Sequence, residues 1–235
     1  MRPRHRVDEL MDDPALDRGE HARALVGLAR LNRWSRSHRI LWPGIAREAR
    51  LANAAGRALR VLDVAAGSGD AVVAMASLAR RAGLEVEWAV ADMSAFALES
   101  ARDRAETAGV ALATSECDLF AGRLDARADV VVNSLFLHHC DDAQAVAALG
   151  AMRGAAEVAV GVSDLDRTRA GLALAWLGSR VLSRSRVVRF DALASVRGAY
   201  APDEARALAR RAGLDGAVVE RTWPERWRLW WRRPS

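Results

Sequence analysis

A chain of 235 residues that is 51% apolar and 28% charged can bury a sizeable core, so it reads as soluble and globular, one domain or one domain with appended elements, and not as a disordered or fibrous chain. No run approaches the roughly 18 apolar residues of a membrane span, and the opening MRPRHRVDELMDDP lacks the apolar stretch of a secretory signal, so the expected address is the cytoplasm. All 35 basic residues are arginine, which excludes a phosphate-cradling loop with its lysine and any Schiff-base lysine.

The net charge of +5 is unevenly placed. Residues 1–60 carry +6, residues 61–166 carry −10 and residues 167–235 carry +9, and seven of the eight tryptophans fall outside the acidic middle block. The abundance of Ala, Arg and Gly fits GC-rich bacterial codon usage, so the basic balance alone does not indicate nucleic-acid binding. Cys117 and Cys140 sit in no metal-ligand spacing and read as small buried residues, and no metal is expected.

In chain order, Asp17 with Glu20 forms a capping-box pattern, and Ala22, Leu25, Val26 and Ala29 follow at helical spacing. A second helix is expected from Pro43 to Gly56, by the preference for proline at a helix start and glycine at its end. Strands and helices then alternate. Strands are expected at LRVLDVA, VEWAVAD, VALATSECD, DVVVNSLF and EVAVGVSD, with helices at DAVVAMASLARRAG, SAFALESARDRAETAG and DDAQAVAALGAM between them. Such alternation predicts a parallel sheet covered on both faces. After Asp166 an insertion from Arg167 to Ala199 opens with a helical stretch, TRAGLALAWLGSRVLSRS. A last helix is expected from Pro202 to Gly213, followed by GAVVERTW and RWRLWW as an antiparallel pair at one end of the sheet.

The chemistry concentrates in VLDVAAGSGD, residues 61–70, between a strand and a helix. Gly67 and Gly69 let the backbone pass close to a ligand. Asp92 closes the next strand, where an acid can accept both hydroxyls of a ribose. The pairing fits a nucleoside cofactor, and NAD(P) fits it nearly as well.

Asp63 inside the strand, followed by Gly67-x-Gly69, resembles the first motif of the class I S-adenosylmethionine-dependent methyltransferases. ADMS, CDLF and ADVVVNSLFLHHCDD follow in register, and SVRGAYAPDEARALARRAGL with two strands resembles the family's C-terminal pattern. The resemblance covers roughly residues 58–166 and 195–232 and is greatest to the branch acting on quinone-pathway and polyketide-type phenols. It implies a Rossmann-like, α/β fold: a seven-stranded, mostly parallel sheet with an antiparallel last strand, N-terminal helices and a helical insertion after the fifth strand. Residues 1–57 would form an N-terminal helical cap and residues 58–235 the methyltransferase domain, with the insertion at 167–199.

Carried over to this chain, the resemblance implies that Asp63 orients the loop and approaches the methionine amino group of S-adenosyl-L-methionine. Ala65, Gly67 and Gly69 would pass its methionine and ribose part. Asp92 would hold the ribose hydroxyls with Met93 on the adenine, and Asp118 would accept from the adenine amino group with Leu119 beside the ring. Asn133 and Ser134 would face the methionine and acceptor side. The family usually has glycine where this chain has Ala65, which an ordinary backbone angle would tolerate. Asp118 also suits a turn, and Met93 also suits the core.

His138 and His139 follow the fourth strand, where ligands of such sheets bind, and either could take a proton from a hydroxyl acceptor. A structural role in the turn before the Asp141/Asp142 helix start is the competing reading. The acceptor implied is a small hydrophobic metabolite, phenolic or lipid-tailed, methylated on oxygen or else carbon. NSLF lacks the paired prolines of exocyclic base-amine methylation, which leaves nucleic acid a minor option. Trp176, Arg180 and Arg184 fall on one helical stripe of the insertion, with Leu174, Leu177 and Val181 beside them. That face could roof an acceptor pocket or make peripheral contact with an anionic inner membrane surface, and Asn32 and Trp34 could close the opposite side. The alternatives are a non-catalytic binding or regulatory subunit and an NAD(P)-linked enzyme, the latter lacking a recognisable hydride site.

Overall fold

The computed structural model describes residues 3–12, 16–17, 19–20, 23–24, 26–27, 30 and 37–234. The expected positions Ala22, Leu25, Ala29, Asn32 and Trp34 lie outside these. Within them, the Glu20 N–H donates to Asp17 Oδ1 at 3.0 Å, half of the expected capping box.

From residue 38 onward the chain runs α1 (His38–Ala54), β1 (Leu59–Val64), α2 (Asp70–Arg81), β2 (Val86–Asp92), α3 (Ala95–Thr107), β3 (Leu112–Glu116), β4 (Ala128–Ser134), α4 (Asp142–Ala155) and β5 (Ala156–Leu165). Then come α5 (Arg169–Leu182), α6 (Arg186–Gly198), α7 (Pro202–Arg211), β6 (Val218–Thr222) and β7 (Arg226–Arg232). The sheet order is β3-β2-β1-β4-β5-β7-β6. Neighbours from β3 to β5 pair in parallel, while β7 inserts between β5 and β6 and pairs antiparallel with both.

Successive side chains of a strand point to opposite faces, so each central strand feeds two cores. Val61, Val90, Val130 and Val132 pack with Leu41 and Ile45 of α1, Val72 and Met75 of α2 and Leu98 of α3. Leu62, Val64, Val131 and Val160 pack on the other face with Leu149 and Met152 of α4, Leu208 of α7 and Trp227 of β7. The direction of travel reverses between β1 and β4. That switch point is where open α/β sheets of this kind hold ligands, beyond the carboxyl ends of the strands.

Three local expectations need correction. The helix α1 begins at His38, so Pro43 lies inside it. Proline withholds one helical hydrogen bond, but Ile40, Leu41 and Ile45 are buried, and their packing holds the earlier turn in place. The insertion holds a second helix, α6, which Ser185 starts by accepting the Val188 N–H. The stripe ends early as well: α5 stops at Leu182, so Arg184 lies beyond it, while the Arg180 guanidinium lies 4.3 Å from the Trp176 ring centroid.

Candidate functional site

The carboxyl ends of β2, β1 and β4 bring together Asp92, the 65–69 loop, Asp63, Asn133 and Ser134. The loop turns sharply because Ala65, Gly67 and Gly69 all take positive φ, at 51°, 53° and 67°. Gly69 also caps α2 against α3, where an added Cβ would meet Ala101 Cβ at 3.0 Å. The angle at Ala65 is therefore not the ordinary one that would make its methyl group harmless. Left-handed backbone costs an L-residue about 1–2 kcal/mol. Leu135, just past β4, is a second such residue at φ 61°, so strain is held at the ends of both central strands.

Asp92 fixes the loop. Its Oδ2 accepts the Gly67 N–H at 2.8 Å and its Oδ1 accepts the Ser94 N–H at 2.9 Å. Met93, next to it, is 64% exposed, so it lies outside the core. Asp118 is exposed and caps a short 3-10 turn, accepting the Phe120 N–H at 2.9 Å, while Leu119 is buried.

Asp63 is buried, and its Oδ1 has no hydrogen-bond partner among the described residues. Burial, followed by the nearby Asp70 and Asp92, holds its carboxyl well above the usual carboxylate range. Asn133 donates through Nδ2 to the Val64 carbonyl at 2.6 Å, which ties β4 to β1. Its Oδ1 is likewise buried without a partner. Two buried acceptors lacking donors therefore sit on adjacent strands at the switch point, where such groups are costly unless a ligand supplies protons to them.

The two histidines part company. His138 is buried, with Nδ1 2.7 Å from Asp164 Oδ1, its backbone N–H on Asp164 Oδ2 at 3.0 Å, and Nε2 3.5 Å from Glu9 Oε1. Burial opposes its charge, but Asp164 and then Glu9 outweigh that and raise the imidazole to about 10. His138 thus holds its proton near neutrality and is not a free base. His139 is partly exposed and stands at the end of an aromatic row. Phe120 and Phe136 have ring centroids 5.1 Å apart, Phe136 and His139 6.4 Å, and His139 and His138 4.3 Å. Cys140 is buried and pushed up to about 12 by burial, and Cys117 is also raised, so neither is an activated thiolate.

The N-terminal segment completes this region. Arg4 donates to the carbonyls of Gly198, His138 and Cys140 and lies 3.8 Å from the Tyr200 ring centroid. Arg6 donates to the His139 carbonyl at 2.8 Å. Asp191 of α6 accepts the N–H groups of Leu10 and Met11, and Ser195 donates to Glu9 Oε1. This strap places Glu9 over both histidines. No local pattern in the sequence marks Arg4, Arg6 or Glu9, because the histidine loop they reach lies far along the chain, at residues 138–140.

Residues 61–157 match the family described as a methyltransferase domain. No curated protein matches the chain. Among solved structures, magnesium protoporphyrin IX methyltransferase from Synechocystis PCC 6803, with S-adenosylhomocysteine bound, is 15% identical with a TM-score of 0.60, covering 94% of this chain and 90% of that one. Human N-acetylserotonin methyltransferase, solved with S-adenosylmethionine, is 17% identical with a TM-score of 0.61 over 92% of this chain and 57% of that one. The pyocyanin biosynthetic protein PhzM is 20% identical with a TM-score of 0.54 over 76% of this chain and 51% of that one. The chain thus spans only about half the length of two of these structures. The chain thus carries a match to a methyltransferase domain over residues 61–157 and shares the fold of these solved methyltransferases.

Proposed function

We propose that this chain transfers a methyl group from S-adenosyl-L-methionine to an oxygen, or secondarily a carbon, of a small hydrophobic acceptor of phenolic or lipid-tailed type. The observation that carries the cofactor reading is the pair of partnerless buried acceptors, Asp63 Oδ1 and Asn133 Oδ1. An amino acid ammonium is the donor such a pair lacks, and its charge would lower the raised Asp63 carboxyl.

When bound, the cofactor supplies an already activated methyl group on a sulfonium, so the chain's work is mainly positioning. Asp63 and Asn133 hold the amino end. An added Cβ at Gly67 would meet nothing within 4 Å, so the backbone leaves open space there for the sugar side. Asp92 accepts the ribose hydroxyls while its two backbone bonds keep it oriented. Met93 covers one face of the adenine, and Asp118 meets its amino group with Leu119 behind. Ser134 lines the acceptor side.

The row Phe120, Phe136 and His139 suits an aromatic, apolar acceptor. His139 takes the proton of the acceptor hydroxyl. His138, charged and held between Asp164 and Glu9, positions His139 and the loop. Within the N-terminal 57 residues the strap at residues 4–11 acts as the cap over the site while α1 completes the sheet's core, and residues 167–199 act as the specificity insertion.

A screen for transfer of tritiated methyl groups from labelled S-adenosylmethionine to phenolic, quinol and fatty-acyl compounds tests this reading. Label in a phenolic or quinol product supports it. Turnover on none of these classes contradicts it.

A further inference from the structure

The helix α5 packs the wrong way round for a surface helix. It buries Gly171, Gly178 and Ser179 and turns its large apolar side chains outward: Leu174, Trp176, Leu177 and Val181 are 38%, 49%, 54% and 71% exposed. Surface helices of soluble domains normally do the reverse. Trp223, 71% exposed, lies in the turn before β7, whose Glu225 accepts the Thr168 hydroxyl at the start of α5. Phe190 of α6 is also exposed. A cluster of large apolar side chains on one such surface marks a contact with an apolar medium.

The charges around it point to the kind of medium. From Arg167 to Phe190 there are six arginines and no acidic residue. Arg169, Arg180, Arg184 and Arg186 are exposed. Two copies of this patch facing each other would set like charges together, whereas anionic headgroups neutralise them. Trp176 under the Arg180 guanidinium also suits the headgroup level, where an amphipathic ring and a cation are both satisfied. Among the described residues no helix is long and apolar enough to cross a membrane.

We propose that the outward face of α5 is a docking surface for an anionic lipid bilayer. The helix lies in the interface, with Leu174, Trp176, Leu177 and Val181 entering the acyl boundary and the arginines on phosphate groups. This inference does not depend on the acceptor assigned above.

The test is co-sedimentation of the full chain with phosphatidylcholine vesicles made with and without phosphatidylglycerol. Binding is expected only with the anionic lipid, and it should fall with added salt. The double variant Leu177→Glu/Val181→Glu should lose at least about tenfold in partitioning, and each of Arg180→Gln and Arg184→Gln about fivefold. Thermal melting should leave the double variant folded, because both positions are exposed. Absence of wild-type binding, equal binding to neutral vesicles, or unchanged binding by the folded double variant overturns the proposal. So does a concentration-dependent dimer in light scattering that the double variant abolishes, with no vesicle binding.

Discussion

His138 and Asp164 are locked together: the ring Nδ1 lies 2.7 Å from Asp164 Oδ1, and the His138 backbone N–H reaches the other carboxylate oxygen at 3.0 Å. The imidazole is raised from 6.5 to about 10, so folded protein retains a proton that unfolded chain releases above pH 6.5. The associated stability is present in full below about pH 6.5 and is lost as pH rises toward 10. Between pH 7 and 9 unfolding free energy should fall by about 1.4 kcal/mol per pH unit. Denaturant titrations of wild type and His138→Phe check this: the slope should largely vanish in the variant. An equal slope in both would place the proton elsewhere.

Asp63 follows the opposite logic, because its carboxyl is raised and its Oδ1 has no partner among the described residues. A carboxylate with a raised folded-state pKa costs stability once pH exceeds its unfolded value, since ionising it in the fold is harder. Asp63→Asn should therefore stabilise the free chain near neutral pH by about 1 kcal/mol while weakening cofactor binding at least about tenfold. Thermal melts with and without S-adenosylhomocysteine give both numbers. A variant that is less stable and binds equally well would refute the role given to this residue.

Ala65 holds a left-handed angle that glycine adopts without cost. Part of the gain from replacing it is offset by the greater freedom of glycine in the unfolded chain. Ala65→Gly should accordingly raise stability by about 0.5–1 kcal/mol and leave cofactor affinity equal or tighter. Loss of stability on this change would show that the methyl group contributes packing that outweighs the strain.

Trp230 lies between Gly44 of α1 and Gly161 of β5, and an added Cβ would meet its ring at 2.5 Å and 2.6 Å respectively. Gly161→Ala should cost about 1–3 kcal/mol by overpacking. Combining it with Trp230→Leu should recover part of that loss, which a double-mutant cycle of chemical denaturation measures. Strict additivity would place the cost at another neighbour, such as Leu41, whose Cδ2 would lie 3.3 Å from the added Cβ.

The central strands β1, β4 and β5 were legible because each is a short, mostly apolar run bounded by turn residues. Val86–Asp92 is met at both ends, and Ser94 caps α3 by accepting the Ala97 N–H as its position suggests. Asp92 was legible through its place at a strand end, and the structure adds its bond to Gly67. The start of α1 was not, because the burial of Ile40 and Leu41 overrides the local signal of Pro43. Nor was the Glu9–His138–Asp164 arrangement, which joins three distant stretches of chain through burial and charge. The angle at Ala65 was hidden for the same reason: alanine carries no local demand for positive φ, and the loop imposes it.

The acidic middle block contains Asp63, Asp92 and Asp118, the three acids proposed above to surround a cationic cofactor. The decisive measurement is calorimetric titration of wild type and Asp92→Ala with S-adenosylhomocysteine. One site per chain is expected for the wild type and at least about tenfold weaker binding for the variant, which loses the proposed ribose acceptor and the anchor of Gly67 together. No binding by the wild type, or equal affinity in the two proteins, would contradict it.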